Sequence, residues 1–263
     1  MLAVWPACAS QEARPSIWPP PDFELTVEQF RGDRGAPRVV RRVQFAADGL
    51  VVYACAERVL RDDETQLELP LFDRLCIYRL VPTCVRALAR RLHRLGIGEL
   101  DRQQGEASAP DSDGLGVTWQ AFGGQKVIAA RGRLHGPMAE ILQVVMQHLP
   151  DGEVFAEALR SDRQVVSVLR GVPAPRLDAA GALAALVELL PERPGDPELV
   201  LHAFALACDL GQREAAVGLL EQWQRLVAKA PAAGAFADAT TNVTVAALQR
   251  LLPPAGSERG RGE

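Results

Sequence analysis

The hydrophobic pattern of this 263-residue chain changes its period once, and that change constrains the fold more than any other feature. From Phe23 to Ala130 many apolar residues alternate with polar ones, which is the period of a strand with one face towards a core. Beyond residue 150 they recur every three or four residues, as in amphipathic helices. The pattern predicts an α+β fold: an antiparallel sheet with two helices packed on it, then an all-helical region of antiparallel hairpins or a bundle.

Turn residues predict two hairpins in the first part of the chain. Asp48-Gly49 suits the positive φ angles of a tight turn, and a Val- and Tyr-rich strand follows over Leu50 to Cys55. A second hairpin is predicted around Gly123-Gly124, between strands at 117–122 and 125–130. Hairpins join antiparallel neighbours, so this part of the sheet should be antiparallel.

Proline and glycine residues mark the ends of the predicted helices. Pro82 begins one that runs to about Leu95, and Pro137 begins one that runs to Leu149. Five further helices are predicted over residues 153–170, 177–190, 197–210, 213–229 and 237–252. The domains we predict are a disordered tail or tether over 1–22, an α+β domain over 22–150, a helical domain over 151–252 and a disordered tail over 253–263.

The net charge of −4 argues against a dedicated nucleic-acid binder, whose affinity would come from excess positive charge. We therefore expect no nucleic-acid partner. No run of about 18 apolar residues occurs, so no transmembrane helix is predicted. Lys126 and Lys229 are the only lysines among 29 basic side chains, a bias that favours a bacterial source with GC-rich codons.

Arginines are concentrated on the first predicted helix and on a strand before it: Arg86, Arg90, Arg91 and Arg94, and Arg38, Arg41 and Arg42. Guanidinium groups suit phosphate and carboxylate partners, so the helix arginines are a candidate anion-binding face. The alternative is a solvated helix face without a ligand. This alternative is favoured by the absence of interleaved aromatic residues. It is also favoured by Glu24 and Glu28, which lie on a strand that could neighbour the arginines and whose charges would then neutralise them.

The sequence contains none of the common catalytic or metal signatures. It has no Gly-x-Ser-x-Gly elbow, phosphate-binding Gly-x-x-x-x-Gly-Lys loop, His-Glu-x-x-His pair or Cys-x-x-Cys pair. The four histidines, His93, His135, His148 and His202, fit surface or capping positions better than catalytic ones, and no spacing argues for a dyad of Cys84 with His135. We therefore predict no catalytic, cofactor-binding or metal-binding residue and no cofactor.

Three hypotheses about function follow from these observations. The first is a non-catalytic binding or interaction protein, with a protein partner that the sequence does not identify. The second is a hydrolase-like enzyme whose active site the sequence does not reveal. The third is anionic-ligand binding through the arginine face of Arg86, Arg90, Arg91 and Arg94.

The residues Ala7-Cys8-Ala9-Ser10, after a short apolar stretch, resemble the cleavage site of a bacterial lipoprotein. The resemblance departs at Trp5, where Leu is usual, and the basic segment and most of the apolar core are missing. It implies lipid attachment at Cys8 and a place in the cell envelope. Without an upstream start codon, the alternative is a chance cysteine in the disordered tail of a cytoplasmic protein.

Two further resemblances concern the folded parts. Residues 196–229 resemble a single tetratricopeptide hairpin, with Asp196-Pro197 at the entry and Leu210-Gly211-Gln212 at the turn, but Phe204 stands where that family has a very small residue. A generic helical hairpin is the alternative. Residues 22–150 are similar to envelope-associated bacterial domains of unknown function, through the hairpin from Val43 to Tyr53. Neither resemblance implies catalytic residues.

Overall fold

The computed structural model describes residues 18–31, 38–65, 67–101, 103–104, 114–131, 134, 136–149, 177–228 and 244–255. Within these ranges the predicted α+β fold is confirmed, with an antiparallel sheet and helices packed on it. The helix predicted over 153–170 and the start of the helix predicted from residue 237 lie outside the described residues.

The described strands are β1 (Glu24–Arg31), β2 (Arg38–Ala46), β3 (Leu50–Cys55), β4 (Arg58–Asp62), β5 (Leu67–Leu71), β6 (Arg74–Arg79), β7 (Gln103–Gln104), β8 (Gly114–Ala121) and β9 (Gly124–Arg131). The described α-helices are α1 (Pro82–Arg94), α2 (Gly136–Met146), α3 (Ala179–Leu189), α4 (Pro197–Asp209), α5 (Arg213–Val227) and α6 (Val245–Arg250). Seven strands form one sheet in the order β6-β3-β2-β1-β8-β9-β7, and β4 pairs with β5 separately. Only the short β7 runs parallel to its neighbour β9.

The first predicted hairpin is confirmed in detail. Gly49 has a φ of 88°, and its N–H donates to the carbonyl of Ala46 over 3.0 Å. The carboxylate of Asp48 accepts a hydrogen bond from the N–H of Leu50, and β3 then covers the predicted residues Leu50–Cys55. The second hairpin differs by one residue: its turn is Phe122-Gly123 rather than Gly123-Gly124, because the carboxylate of Asp22 accepts hydrogen bonds from both turn N–H groups.

Helices cover both faces of the sheet. On the first face, Val27, Val43 and Phe45 share a hydrophobic core with α1 and α2. On the second face, Val52 and Leu75 share a second core with α3, α4, α5 and α6. Every residue of β3 is buried, as expected for an apolar strand that is covered on both sides. The described part of the helical region is therefore packed directly on the sheet.

The helices begin and end close to the predicted residues. Pro82 is the first residue of α1, and Gly96 follows its end with a φ of 69°. The side chain of Asp196 caps α4 by accepting hydrogen bonds from the N–H groups of Glu198 and Leu199. None of the helices in the described ranges combines the length and the apolar character that a membrane crossing requires.

Candidate functional site

Three of the four predicted helix arginines form one exposed stripe on α1: Arg86, Arg90 and Arg94. At about 100° per residue they span about 80° of the helix circumference, on the side opposite the buried Leu88 and Leu92. α1 contains no acidic residue, and no carboxylate in the described part of the chain forms an ion pair with any of the three. We call these three residues the arginine stripe.

Arg91, the fourth predicted arginine, lies at the edge of the stripe and contacts the segment that follows α2. It follows Arg86 by five positions, which places it about 140° from Arg86 and about 60° from Arg94 around the helix. Its Nη1 donates a hydrogen bond over 2.9 Å to Oε1 of Gln147, just beyond the end of α2. Arg91 therefore bridges two helices of the first face, whereas the arginine stripe points away from the core.

Three rings meet beside the arginine stripe, in a group that we call the aromatic corner: Trp18, His93 and Phe122. The ring centroid of Trp18 lies 5.1 Å from that of His93 and 5.4 Å from that of Phe122. His93 is three residues after Arg90, so the two side chains are neighbours on the helix surface. The corner was missed by sequence reasoning because its residues come from three distant segments.

Phe122 is held in an unusual backbone conformation. Its φ is 56°, in the left-handed region that large side chains seldom adopt, and its side chain is 47% exposed. Asp22 accepts a hydrogen bond from the N–H of Phe122 over 3.1 Å and another from Gly123, which stabilises the turn. Asp22 lies just before β1, so the first described residues of the chain hold this exposed ring in place.

The strand arginine Arg42 has a different role, because it is buried on the second face among acidic side chains. Its Nε lies 3.9 Å from Oε1 of Glu28 on β1, and its Nη1 contacts Oε2 of Glu198 in the first turn of α4. Nearby, Nε2 of Gln44 donates to Glu24 over 2.6 Å and to Asp196 over 3.2 Å. We call these six residues the buried charge cluster.

Burial changes the protonation of groups in and beside the buried charge cluster. It raises the pKa of Glu28 to about 7, against the opposing effect of the Arg42 charge. Burial acts against the charge of Arg42 itself, but Glu198 and Glu28 together raise its pKa. Burial, aided by the Arg42 charge, lowers the pKa of His202 well below its usual value. His202 is therefore neutral at pH 7.

A cavity lies beside this cluster, between the sheet and helices α3 and α4. Arg42, Gln44 and His202 line it together with apolar side chains, and the His202 ring stands edge-on to Phe72 with a centroid distance of 4.4 Å. It has room for about one water molecule. Neither His93 nor Cys84 reaches this cavity. No group of acidic, histidine and cysteine side chains in the described ranges has the arrangement of a metal site.

The remaining sequence candidates fall into two groups. Cys8 and His135 lie outside the described residues. His148 is buried and its Nδ1 lies 2.8 Å from the carbonyl oxygen of Val144. Burial lowers the pKa of His148, which favours its neutral form, and the contact with Val144 places the ring against a carbonyl at the end of α2. Cys84 is partly buried and forms no disulfide.

Neither a protein-family model nor a curated protein matches this chain. Function is therefore inferred from its own residues. Of the features described, the arginine stripe presents charges that are exposed and unpaired with carboxylates in the described part of the chain, whereas Arg42 of the buried charge cluster is buried and paired with Glu28 and Glu198.

Proposed function

We propose that this protein is a non-catalytic binding protein and that the arginine stripe of α1 binds an anionic partner. The single observation that carries the proposal is the absence of carboxylate partners for the stripe within the described ranges. Several other exposed arginines in the described ranges do form ion pairs: Arg58 contacts Asp73 and Asp209, and Arg79 contacts Asp48 and Glu192.

The stripe suits a partner that carries phosphate or carboxylate groups. Guanidinium groups are weakly hydrated and present their donors in a planar fork, which matches both kinds of anion. From Arg86 to Arg94 the helix rises about 12 Å, so the stripe can contact several anionic groups of one extended partner. Because these side chains are exposed, mobile ions will screen the attraction, and binding should weaken strongly as salt is raised.

Chromatography on a phosphate-bearing resin tests this proposal. We expect the full chain to be retained on phosphocellulose at low ionic strength and released by added sodium chloride. The variant Arg86→Gln/Arg90→Gln/Arg94→Gln should elute at much lower salt, because it loses the unpaired charges of the stripe. The far-UV circular dichroism of the variant should match that of the natural chain, since none of the three side chains is buried.

A matched variant separates the stripe from net charge. Arg61→Gln/Arg225→Gln/Arg250→Gln removes the same number of charges from exposed positions on β4, α5 and α6. Its elution should stay close to that of the natural chain. Equal loss of retention in both triple variants, or retention that ignores salt, would overturn the proposal.

A further inference from the structure

We infer that the arginine stripe and the aromatic corner together bind the surface of an anionic lipid bilayer. This rests on the proposed function, since it names the class of anion that the stripe meets. Lipid phosphates would pair with Arg86, Arg90 and Arg94, while the exposed ring of Phe122 enters the boundary between headgroups and acyl chains. Two kinds of contact, one charged and one apolar, thus lie side by side on one surface.

Phe122 has the position that such an apolar contact needs. It stands at the tip of the β8–β9 hairpin, and it is the aromatic member of the large apolar side chains exposed in the described ranges: Val81, Phe122, Val187, Val227 and Val245. Trp18 supports its ring edge-on, at an interplanar angle of 78°. Trp18 itself packs on the core of the first face, so its contact with Phe122 connects the exposed ring to that core.

The arrangement of the rings favours a bilayer over single-stranded nucleic acid. Proteins that bind single strands offer flat ring faces on which bases stack. In the aromatic corner the rings meet at 56°, 78° and 66°, so no two of them are parallel and able to hold a base between their faces.

A lipid at Cys8, which the lipoprotein resemblance implies, would act together with the stripe. Trp18 is the first described residue, and Cys8, which resembles a lipid-attachment site, precedes it by ten residues. Ten residues span at most about 36 Å when fully extended. A lipid on Cys8 would therefore lie within about 36 Å of Trp18. Lipid anchors commonly act with a second signal such as a basic patch, and the stripe would supply it.

The positive charge of the arginine stripe exceeds the negative charge of the acidic residue that contacts the aromatic corner. Asp22 is the acidic residue that contacts the corner, and its carboxylate is engaged by the turn N–H groups at Phe122 and Gly123. Glu99 and Asp101 follow α1 in the chain, beyond its last residue. The helix itself contributes only positive charges to this surface.

Vesicle sedimentation with the full, non-lipidated chain tests the inference. We expect it to sediment at low salt with equimolar phosphatidylglycerol and phosphatidylcholine vesicles, and to remain in solution with pure phosphatidylcholine. The triple stripe variant should bind about a hundredfold more weakly, since each arginine near an anionic surface contributes about a factor of five. Phe122→Asn should weaken binding about tenfold, because the variant lacks the half-exposed ring whose transfer from water into the bilayer favours binding.

The Phe122→Asn variant distinguishes this inference from the proposed function. Asn tolerates a positive φ, so the turn should persist, and retention on phosphocellulose should not change. Val187→Asn removes an apolar side chain of nearly equal exposure, 46%, from α3 and should leave vesicle binding unchanged.

Three results would overturn the bilayer contact. The first is stripe-dependent retention on phosphocellulose without sedimentation on anionic vesicles, which would leave the proposed function standing. The second is equal sedimentation of the Phe122→Asn and Val187→Asn variants. The third is stripe-dependent binding of a single-stranded oligonucleotide by a chain that ignores vesicles, which would assign the corner to nucleic acid. Loss of both retention and sedimentation would overturn the proposed function as well.

Discussion

Gly49 shows how one residue decides the geometry of the sheet. Its φ of 88° places it in the left-handed region, and a Cβ added there would lie 2.4 Å from the carbonyl oxygen of Leu80. That carbonyl belongs to the segment that leads from β6 into α1, and the N–H of Leu80 donates to the carbonyl of Gly49 over 2.8 Å. The β2–β3 turn and the entry to α1 are therefore fixed against each other.

We predict that Gly49→Ala lowers the free energy of unfolding by at least about 2 kcal/mol, from backbone strain and the clash with Leu80. Gly98→Ala is the matched control, because a Cβ at that position meets no atom within 4 Å. It should change stability by no more than about 0.5 kcal/mol. Urea denaturation measures both values, and equal stabilities of the two variants would contradict this description of the turn.

At the scale of elements, the buried charge cluster connects α4 to the sheet. Arg42 on β2 lies between Glu28 on β1 and Glu198 at the start of α4, and Asp196 caps the same helix end. Its partners satisfy a charge that would be costly to bury alone. Because the carboxylates outnumber the arginine, burial and mutual repulsion keep part of the cluster close to protonation.

Replacing Glu28 with Gln is expected to alter how stability depends on pH. Burial raises the pKa of Glu28 from 4.5 to about 7 in the folded chain, so the folded state keeps a proton that the unfolded chain releases. The contribution of Glu28 is therefore fully present below pH 4.5 and is lost as the pH rises through about 7. The stability of the natural chain relative to the variant should fall across this range, by up to about 3 kcal/mol.

Urea denaturation at several pH values between these limits measures the difference between the two chains. Glu221→Gln, on the exposed side of α5, controls for the loss of one carboxylate. A stability difference between the natural chain and Glu28→Gln that stays constant across the range would contradict the raised pKa.

Some elements could be predicted from the sequence because their signals are local. Asp48-Gly49 identified the first hairpin, and Pro82 and the spacing of Leu88 and Leu92 identified α1 and the side of the helix on which the arginines lie. The aromatic corner depends on contacts across long chain separations, which no local pattern records. Asp22 moved the second turn by one residue through such a contact.

The same limit applies to the roles of individual charges and rings. The spacing placed Arg91 with the other helix arginines, but its contact with Gln147 depends on where α2 packs. The acidic partners of Arg42 were partly foreseen, since Glu28 lies on the neighbouring strand. The contact of Glu198 with Arg42 could not be predicted, because it depends on where α4 packs on the second face and periodicity alone does not reveal that position.

At the scale of the whole molecule, two hydrophobic cores formed by the described residues share one sheet. Trp119 lies in the core of the first face and Trp223 in the core of the second, and each is less than 10% exposed, at 5% and 7%. Without its helices the second face would expose Val52, Ala54 and Leu75 to water. The described helices from α3 onwards should therefore unfold together with the sheet.

Two single-tryptophan chains test this cooperativity, one retaining Trp119 and the other Trp223, with Phe at the other tryptophan positions. We predict that their fluorescence reports the same urea midpoint, within the small stability differences that the substitutions cause. Far-UV circular dichroism of each chain provides a second probe of the same transition. A transition of Trp223 at clearly lower urea, with Trp119 still native, would show that the helical layer is an independent unit.

The most direct test of the central claim is to observe the arginine side chains while an anion binds. In nuclear magnetic resonance spectra of the nitrogen-15-labelled full chain, titrated with inorganic pyrophosphate, the Nε signals of Arg86, Arg90 and Arg94 should shift, saturate and return when salt is added. The signals of Arg61, Arg225 and Arg250 should remain in place. Shifts of equal size at all six arginines, or none at the stripe, would contradict a binding surface on α1.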